Sequence, residues 1–206
     1  MRNIITMTFV SMDGVMQAPG GSKEDTAEGF KYGGWQFGRD YDDPITDALL
    51  KEFFTTPFEL LLGKVTYDIF AAYWPNHPEI ELVATPFNAT KKYVVSDVPM
   101  ELLWNNSELI TGDDVVEKIK KLKEMDGPDL WVWGSGKLIQ TLLMNDLVDR
   151  MHVWTHPVTI GTGKKLFAEG TQPRNFTMTD AKVTKTGVIV ATYEPAGVLT
   201  TGEAPT

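Results

Sequence analysis

Residues 129–138, DLWVWGSGKL, decide the fold class of this chain. The run Leu130–Trp133 is apolar and bulky, which is typical of a strand that is buried on both faces. Gly134-Ser135-Gly136 ends that strand, and Leu138 and Ile139 then begin a helical pattern. A buried strand that turns through glycine directly into a helix is the repeating unit of parallel α/β sheets. The segment therefore predicts an α/β domain.

Residues 58–66, FELLLGKVT, repeat this order of apolar strand, glycine and helix. In open α/β sheets, ligands bind where the carboxyl ends of strands meet helix N-termini, and glycine lets a phosphate approach the backbone closely. Lys64 and Lys137 each follow one of the junctions, although a lysine at that position opposes the helix dipole. An anion arriving from solution explains both lysines. The two junctions therefore favour phosphate binding.

The alternative is that Gly63 and Gly134 only make tight strand-to-helix turns, as glycines also do in proteins without a ligand. Neither junction matches the dinucleotide fingerprint G-x-G-x-x-G or the phosphate loop of nucleotide hydrolases. A standard Rossmann or P-loop protein is therefore not indicated.

The rest of the chain alternates between strands and helices around the two junctions. We expect a strand at 3–11, a long loop with seven glycines at 12–43, and a first helix that Asp43 caps. The other predicted elements are strands at 58–62, 91–96, 107–111, 129–133 and 148–158, helices at 64–72, 114–124 and after Gly136, and a closing hairpin of 176–183 and 188–193. This order predicts a three-layer α/β fold with a mostly parallel central sheet and a C-terminal antiparallel hairpin. One domain would span 1–195, and 196–206 would form a flexible tail.

Composition excludes several classes of protein. The chain has 206 residues, which suits one domain, and no cysteine, which excludes disulfides and cysteine-bound metals. A formal net charge of −9 argues against nucleic acid as a partner, because phosphate-binding surfaces are basic. No apolar stretch approaches the roughly 18 residues of a membrane span, and the N-terminus reads as a strand rather than a signal peptide. We therefore expect a cytoplasmic protein that does not bind membranes.

Two further residues are candidates for ligand contacts. Ser96 ends the strand at 91–96 with a hydroxyl that could reach an adenosine phosphate or could simply cap a turn. Trp35, within the glycine-rich loop, could line a pocket for a flat heterocycle or could anchor the loop on the core. Both pairs of alternatives stay open at the level of the sequence.

The histidines and one pair of acids receive structural interpretations. His152 and His156 share one face of a predicted strand, and His77 is the only other histidine. Because no third ligand lies nearby in the sequence, we predict no metal site. Asp42 and Asp43 are interpreted as a solvated pair that starts a helix, not as an acid–base pair.

Taken together, these motifs resemble the dihydrofolate reductase-like proteins, and most closely the branch related to the reductase domain of bifunctional riboflavin-biosynthesis enzymes. Each motif alone is weak, but five of them follow the family's order over residues 3–194. The matching segments are VSMDGV at 10–15, GKVTY at 63–67, VS at 95–96, VWGSGKL at 132–138, and PV through GTG to LF at 157–167.

The resemblance implies a central sheet with NADPH laid across its carboxyl edge. The residues that it assigns to the cofactor are Gly63, Lys64 and Thr66 for the phosphates and the adenosine end, Ser96 for the 2′-phosphate, Gly134, Ser135, Gly136 and Leu138 for the pyrophosphate, and Met16 and Gly161 for the nicotinamide. Trp35 is the candidate contact for the substrate.

Two acids and water are the candidates for the proton donor. Asp47 lies sixteen residues before Gly63 (63 − 47), on the helix where dihydrofolate reductases carry their substrate-protonating acid. An acid in a first helical turn also stabilises the dipole, so a purely structural role is equally consistent. Asp13, beside a glycine at the end of the first strand, is the alternative. The long loop at 18–39 and the lack of a deaminase domain depart from the two family types and leave the substrate open.

The first functional hypothesis is an NADPH-dependent reductase, expected as a homodimer, that transfers hydride to a C=N or C=O carbon of a small pterin- or pyrimidine-type heterocycle or sugar derivative. The second is a dinucleotide- or flavin-binding module without turnover, which the absence of an acid near the nicotinamide would favour. The third is a structural homodimer that merely inherits the fold, which an empty and closed cleft would favour.

Overall fold

The structure, a computed structural model, describes residues 1–38 and 43–204, so Asp42 of the predicted acidic pair lies outside the described residues. The strands are β1 Ile4–Ser11, β2 Phe58–Gly63, β3 Lys92–Val95, β4 Ser107–Ile110, β5 Asp129–Trp133, β6 Arg150–His156, β7 Arg174–Val183 and β8 Ile189–Val198. The helices are α1 Pro44–Phe53, α2 Lys64–Tyr73, α3 Glu81–Ala89, α4 Val115–Glu124 and α5 Gly136–Met144.

The described strands form one eight-stranded sheet in the order β4-β3-β2-β5-β1-β6-β8-β7. The first six in this order are parallel to their neighbours, whereas β8 pairs antiparallel with both β6 and β7. Ile119 of α4 and Ile139 of α5 are buried in the core on one face, and Leu49 of α1 and Phe87 of α3 in the core on the other. The predicted three-layer α/β fold is therefore confirmed. Among the described residues, no helix is both long and apolar enough to cross a membrane.

Helix α3 is absent from the sequence prediction, because Pro86 lies in its interior and proline opposes helices. In the structure, Phe87 is fully buried, and its ring centroid lies 5.5 Å from that of Trp74. Full burial of a phenylalanine contributes roughly 1.5–3 kcal/mol, which offsets much of the cost of the proline. Tertiary packing thus holds a helix that local propensity argues against.

The closing hairpin extends further than the sequence predicts. Strand β8 continues past Tyr193, the expected end, to Val198, which pairs with Arg174 at the start of β7. Pro195 lies within this extension, opposite Phe176. The ladder between β6 and β8 ends at Tyr193, so beyond that residue β8 is an edge strand on that side, where a missing N–H is tolerated. The prediction that the chain is loose from about 196 is wrong for its first residues.

Asp43 caps α1 as predicted, but it is not a solvated side chain. It is only 3% exposed and accepts hydrogen bonds from Ile45 N at 2.9 Å and from Thr186 N at 3.2 Å. Thr186 belongs to the turn between β7 and β8, so the cap also ties α1 to the C-terminal hairpin. The interpretation of Asp43 as a solvated acid is therefore wrong.

Lys92 anchors the amino-terminal edge of the sheet. It is fully buried, and its Nζ donates to the carbonyl oxygens of Asn88, Thr90 and Asn105 at 2.9–3.1 Å. The ammonium also lies 4.3 Å from the ring centre of Trp104, and burial lowers the pKa of Lys92 to about 8. The side chain thereby joins the end of α3 to the segment that leads into β4.

Candidate active site

The two glycine junctions, 71 residues apart in sequence (134 − 63), meet in the structure because β2 and β5 are parallel neighbours. Gly63 N donates to Ser135 Oγ at 3.0 Å. A Cβ atom on Gly134 would lie 3.4 Å from Thr66 Oγ1, so Gly134 faces the first turn of α2. Four of the predicted cofactor residues therefore lie together between the starts of α2 and α5, and this region is called the groove below.

The backbone of the second junction adopts an uncommon conformation. Gly134 has a φ of +57° and Ser135 a φ of +63°, so two consecutive residues are left-handed. Glycine takes this conformation freely, whereas a residue with a Cβ atom does so at a cost of about 1 kcal/mol or more. Ser135 Oγ donates to the carbonyl of Trp133 at 3.2 Å, which helps to hold the turn. This turn lets α5 begin directly after the strand.

The starts of α2 and α5 carry no side-chain cap. Neither Gly63 nor Ser135, the residues before the two helices, forms a side-chain hydrogen bond to a first-turn N–H within the described chain. First-turn N–H groups have no partner inside a helix, and they carry the positive end of its dipole. Two such ends side by side fit the phosphates of a dinucleotide. The residues at the junctions therefore suit the cofactor that the sequence predicts.

The two junction lysines differ in the structure. Lys64 Nζ lies 2.5 Å from Asp68 Oδ2, one turn further along α2, and both side chains are nearly half exposed. Lys137 is exposed and forms no ion pair with any residue that the structure describes. Lys64 must leave Asp68 to meet a phosphate, whereas Lys137 can do so directly.

Ser96 and Leu138, both predicted cofactor contacts, are buried. Ser96 is 3% exposed, and its hydroxyl donates to the carbonyl of Val98 at 2.7 Å, as expected for a residue that closes a turn. Leu138 is 5% exposed and packs in the core beneath α5. The Leu138 side chain therefore serves packing, and only its main chain belongs to the start of α5.

Met16 follows β1 and Gly161 follows β6, the two strands that come after β5 in the sheet order. A Cβ atom on Gly136 would come 3.1 Å from Met16 Sδ, so Met16 covers the start of α5. Met16 N donates to the carbonyl of Lys164 at 2.8 Å, which joins the first loop to the segment after β6. Gly161 is exposed with a φ of +81°. Both residues follow strands at the carboxyl edge of the sheet.

Asp13 acts as a clamp between these two loops. Its carboxylate accepts from Ser11 Oγ at 2.7 Å, from Ile160 N at 3.0 Å and from Gly161 N at 2.7 Å. These hydrogen bonds, that of Ser11 first, lower the pKa of Asp13 to about 2. The side chain is thus a carboxylate at neutral pH and its oxygen atoms are already engaged.

Asp47, the other predicted acid, is exposed on α1, whereas the preceding residue Thr46 is buried. Successive helical residues point about 100° apart. Thr46 and Asp43 line a small cavity that Asp47 does not reach. Thr46 is not predicted from the sequence, because helical spacing alone does not show which face of α1 meets the carboxyl ends of the strands.

The cavity beside Thr46 has a volume of about 30 Å³, room for a water molecule, and Trp35 and His156 also line it. Trp35 Nε1 donates to the carbonyl of Gln17 at 2.8 Å. The ring centroids of Trp35 and His156 lie 5.4 Å apart, and the two rings are nearly perpendicular. Trp35 is therefore both a loop anchor and a cavity wall.

His156, which the sequence pattern places only in a histidine pair without a metal, is a buried polar group beside the cavity. It is 5% exposed, and its Nε2 atom has no hydrogen-bond partner within the described chain. Burial lowers the pKa of His156 to about 4, so the ring is neutral at physiological pH. Its unpaired position next to a cavity marks it as a candidate for contact with a ligand or a water molecule.

His152, on the same face of β6, is engaged differently. Its Nδ1 lies 3.0 Å from Thr192 Oγ1, and burial, followed by the charge of Arg150, lowers its pKa to about 4. In the part of the chain that the structure describes, no three His, Asp or Glu side chains are arranged to hold a metal. The two histidines therefore stand as separate buried groups.

Comparison with known proteins places this architecture in a family. The family model for the RibD C-terminal domain matches residues 2–191. The chain belongs to this family. Among its relatives, the Bacillus subtilis protein YyaP is 31% identical over 137 residues, which cover 65% of this chain and 72% of YyaP. YwjB of the same organism is 22% identical over 168 residues, covering 82% of this chain and 84% of YwjB.

Solved structures share the fold of this RibD C-terminal domain protein. A putative riboflavin biosynthesis protein from Shewanella sp. PV-4 superimposes with a TM-score of 0.65 at 19% identity, over 94% of this chain and 99% of that one. Dihydrofolate reductase from Enterococcus faecalis, in complex with NADP(H) and RAB-propyl, has a TM-score of 0.58 at 14% identity, over 94% of this chain and 96% of that one. A pyrimidine reductase-like protein from Corynebacterium diphtheriae has a TM-score of 0.58 at 12% identity, over 95% and 92%. The predicted resemblance to the dihydrofolate reductase-like proteins is confirmed.

Proposed function

We propose that this protein is a nicotinamide-dependent reductase that transfers hydride to a C=N or C=O carbon of a small heterocycle or sugar derivative. The observation that carries the proposal is the contact between the two junctions, where Gly63 N meets Ser135 Oγ and two uncapped helix starts face one groove. Family membership supports a reductase, and the dihydrofolate reductase with the same fold binds NADP(H). A nicotinamide cofactor, when bound, supplies the hydride.

The substrate side of the site adjoins this groove through the first loop. Met16 covers the start of α5, and the carbonyl of the next residue, Gln17, holds the indole of Trp35. Trp35 in turn contacts His156 across the small cavity. We assign Trp35 to one face of the substrate. We assign the unpaired His156 Nε2 to a water molecule in the cavity, which has room for water but not for the substrate, because an unpaired buried nitrogen gains most from a new partner.

The proton for the reduced substrate comes, on this proposal, from water. Asp13 has a pKa of about 2 and holds no proton at neutral pH, and Asp47 is exposed on a face of α1 that does not line the cavity. A water molecule beside neutral His156 can donate a proton and be replaced from solvent. Asp13 then has a positioning role, since it holds the Gly161 turn in place.

A dinucleotide-binding module without turnover is the second candidate. It is favoured by the two acids, neither of which presents a proton to the groove, and by the small volume of the cavity, about 30 Å³. The homodimer expected from the sequence stays a prediction that a measurement of mass in solution can test. The choice between NADPH, also expected from the sequence, and NADH depends on the groups at the end of β3.

Dinucleotide binding is tested with the Lys137→Glu variant. An acid at the start of a helix favours the dipole, so the fold should keep its stability, whereas a phosphate on the same helix start should be repelled. We expect nicotinamide fluorescence titrations to give micromolar affinity for the wild type and at least about tenfold weaker binding for the variant, or about 1.4 kcal/mol.

The matched control is Lys121→Glu, which changes the net charge equally on the exposed face of α4. It should leave the affinity unchanged. If wild-type protein binds neither dinucleotide at about millimolar concentration, or if both variants bind as tightly as wild type, the proposed site at α5 is wrong.

A further inference from the structure

We infer that the adenosine end of the groove selects a dinucleotide with a free ribose 2′-hydroxyl, NADH, over its 2′-phosphorylated form, and that Asp97 is the specificity-determining residue. The inference rests on the proposed function, since it concerns the same groove. It reverses the preference for NADPH that the sequence resemblance implies. Four observations at the carboxyl end of β3 carry it.

The position of Asp97 follows from the order of the strands. Strand β3 lies beside β2, and Val95, its last residue, is in register with Gly63. Ser96 and Asp97 therefore emerge at the same sheet edge as the first turn of α2. In Rossmann folds, whose fingerprint this chain lacks, an acid hydrogen-bonds the ribose hydroxyl, whereas an arginine accommodates a 2′-phosphate. The same chemistry applies to an acid that meets a ribose in another fold.

The hydroxyl that the sequence offers for a 2′-phosphate is already used. Ser96 is 3% exposed, donates to the carbonyl of Val98 at 2.7 Å and accepts from Val98 N at 3.3 Å. A phosphate could reach this hydroxyl only by opening the turn that follows β3. The adjacent Asp97, by contrast, is exposed, and its carboxylate forms no hydrogen bond or ion pair within the described residues.

The lysines at this edge are already paired with acids. Lys64 lies 2.5 Å from Asp68, and Lys118 lies 2.7 Å from Asp114 while also donating to the carbonyl of Thr111. Lys137, which has no such pair in the described chain, follows β5, on the opposite side of β2 from β3. Each of Lys64 and Lys118 would therefore have to leave its acid in order to meet a 2′-phosphate at the end of β3.

The sum of charges at this end is unfavourable to a phosphate. Asp97 and Asp113 are exposed at the ends of β3 and β4, and the whole chain has a net charge of −9. A 2′-phosphate would bring about two further negative charges next to them. A 2′-hydroxyl, in contrast, can donate a hydrogen bond to a carboxylate, and such charge-assisted bonds are among the stronger ones.

The test compares NADH with NADPH, and ADP-ribose with its 2′-phosphate, in titrations of the 206-residue chain at low salt. We expect the unphosphorylated member of each pair to bind about tenfold or more tightly, and Asp97→Asn to reduce that ratio at least about threefold by improving binding of the phosphorylated member. Asp126→Asn is the control, because Asp126 precedes β5 at the opposite edge and the change in net charge is the same.

Each outcome decides between defined alternatives. Equal or tighter binding of the phosphorylated ligands overturns the inference and leaves the reductase proposal intact. An equal change of the ratio in Asp97→Asn and Asp126→Asn, or no change in either, also overturns the role of Asp97. Failure of the folded protein, checked by circular dichroism, to bind any of the four ligands rejects the proposed function itself.

Discussion

The groove at the two junctions and the cavity under Trp35 are built by different means. The groove presents main chain, with Gly63 and Gly134 beside helix starts that have no side-chain cap. The cavity is enclosed by side chains from separate segments, among them Trp35 and His156 in ring contact. A main-chain surface depends on backbone conformation and charge, whereas a side-chain cavity depends on the identity of each residue that encloses it. The two regions should therefore respond to different kinds of substitution.

The largest effect on the free energy of unfolding is expected at Gly134, because the backbone conformation there limits which residues are tolerated. With a φ of +57°, valine would be strained there whatever space surrounds it, whereas asparagine tolerates left-handed backbone. We expect Gly134→Val to lower the free energy of unfolding by about 2 kcal/mol or more relative to Gly134→Asn, as measured in urea.

Gly134→Asn should also keep dinucleotide binding, because a Cβ atom at this position meets Thr66 Oγ1 at an ordinary 3.4 Å. Equal free energies of unfolding for the two variants would show that the positive φ of Gly134 does not determine which residues are tolerated there. A stable Gly134→Asn protein that has lost binding would instead point to direct contact between the ligand and the glycine.

The second-largest effect is expected at His156, because the pH dependence of stability there depends on the identity of the side chain. Its folded pKa of about 4 lies below the ordinary value of 6.5, so the unfolded state takes up a proton first as the pH falls. Stability is complete above about pH 6.5 and declines toward pH 4, by about 1–3 kcal/mol for this residue. We expect His156→Phe to show a smaller decline in urea unfolding measured across this range.

His77→Phe is the control, because His77 is partly exposed and pairs with Glu79 instead of lying in the core. It should leave the acid-dependent decline in place, to which buried His152 also contributes. An identical decline in wild type and His156→Phe would mean that His156 is accessible to protons in the folded protein.

The groove was easier to predict from the sequence than the cavity, for a physical reason. Each junction is encoded locally, since an apolar strand, a glycine and a helical pattern follow one another at 58–66 and at 129–138. The cavity depends on contacts between Trp35, Thr46 and His156, which are set by the path of the long loop. Neighbouring residues carry no signal for such contacts. The sequence therefore favours Asp47 over Thr46 as a site residue, because an acid can act as a proton donor whereas a threonine gives no such signal in the sequence.

The same contrast applies to the secondary structure. The alternation of strands and helices predicts the parallel sheet, whereas α3 and the end of β8 each contain a proline that local rules exclude. Pro86 is tolerated because Phe87 is buried, and Pro195 because β8 is an edge strand there. Both facts concern the packed molecule and cannot be read from adjacent residues.

Asp13 lies between the two regions, and its replacement should have an intermediate effect. Asp13→Asn removes the charge that accepts from Ile160 N and Gly161 N, and we expect a loss of about 1 kcal/mol in the free energy of unfolding at neutral pH. Because the folded pKa of about 2 lies below the ordinary 3.8, the wild-type advantage is present above about pH 4 and is lost as the pH falls toward 2. Urea titrations at neutral pH and at low pH measure both parts; an advantage that persists unchanged at low pH would exclude the clamp.

The smallest effect is expected at Lys64. Because its ammonium is already paired with Asp68, Lys64→Ala should weaken dinucleotide binding less than about threefold, whereas Lys137→Ala, at the unpaired lysine, should weaken it more. Fluorescence titration of both variants under one condition gives the comparison. A larger loss for Lys64→Ala would mean that the Asp68 pair breaks when the ligand arrives and that α2, not α5, holds the main charge of the ligand.

The buried Lys92 bears on how this protein can change over evolutionary time. Its three carbonyl partners and the Trp104 ring lock the amino-terminal edge of the sheet far from the groove and the cavity. The contacts at the amino-terminal edge do not involve the loops at the carboxyl edge. A mutation in those loops that lowers the free energy of unfolding therefore leaves the amino-terminal contacts intact. Such a division lets new specificities arise at one edge while the fold is inherited through the other.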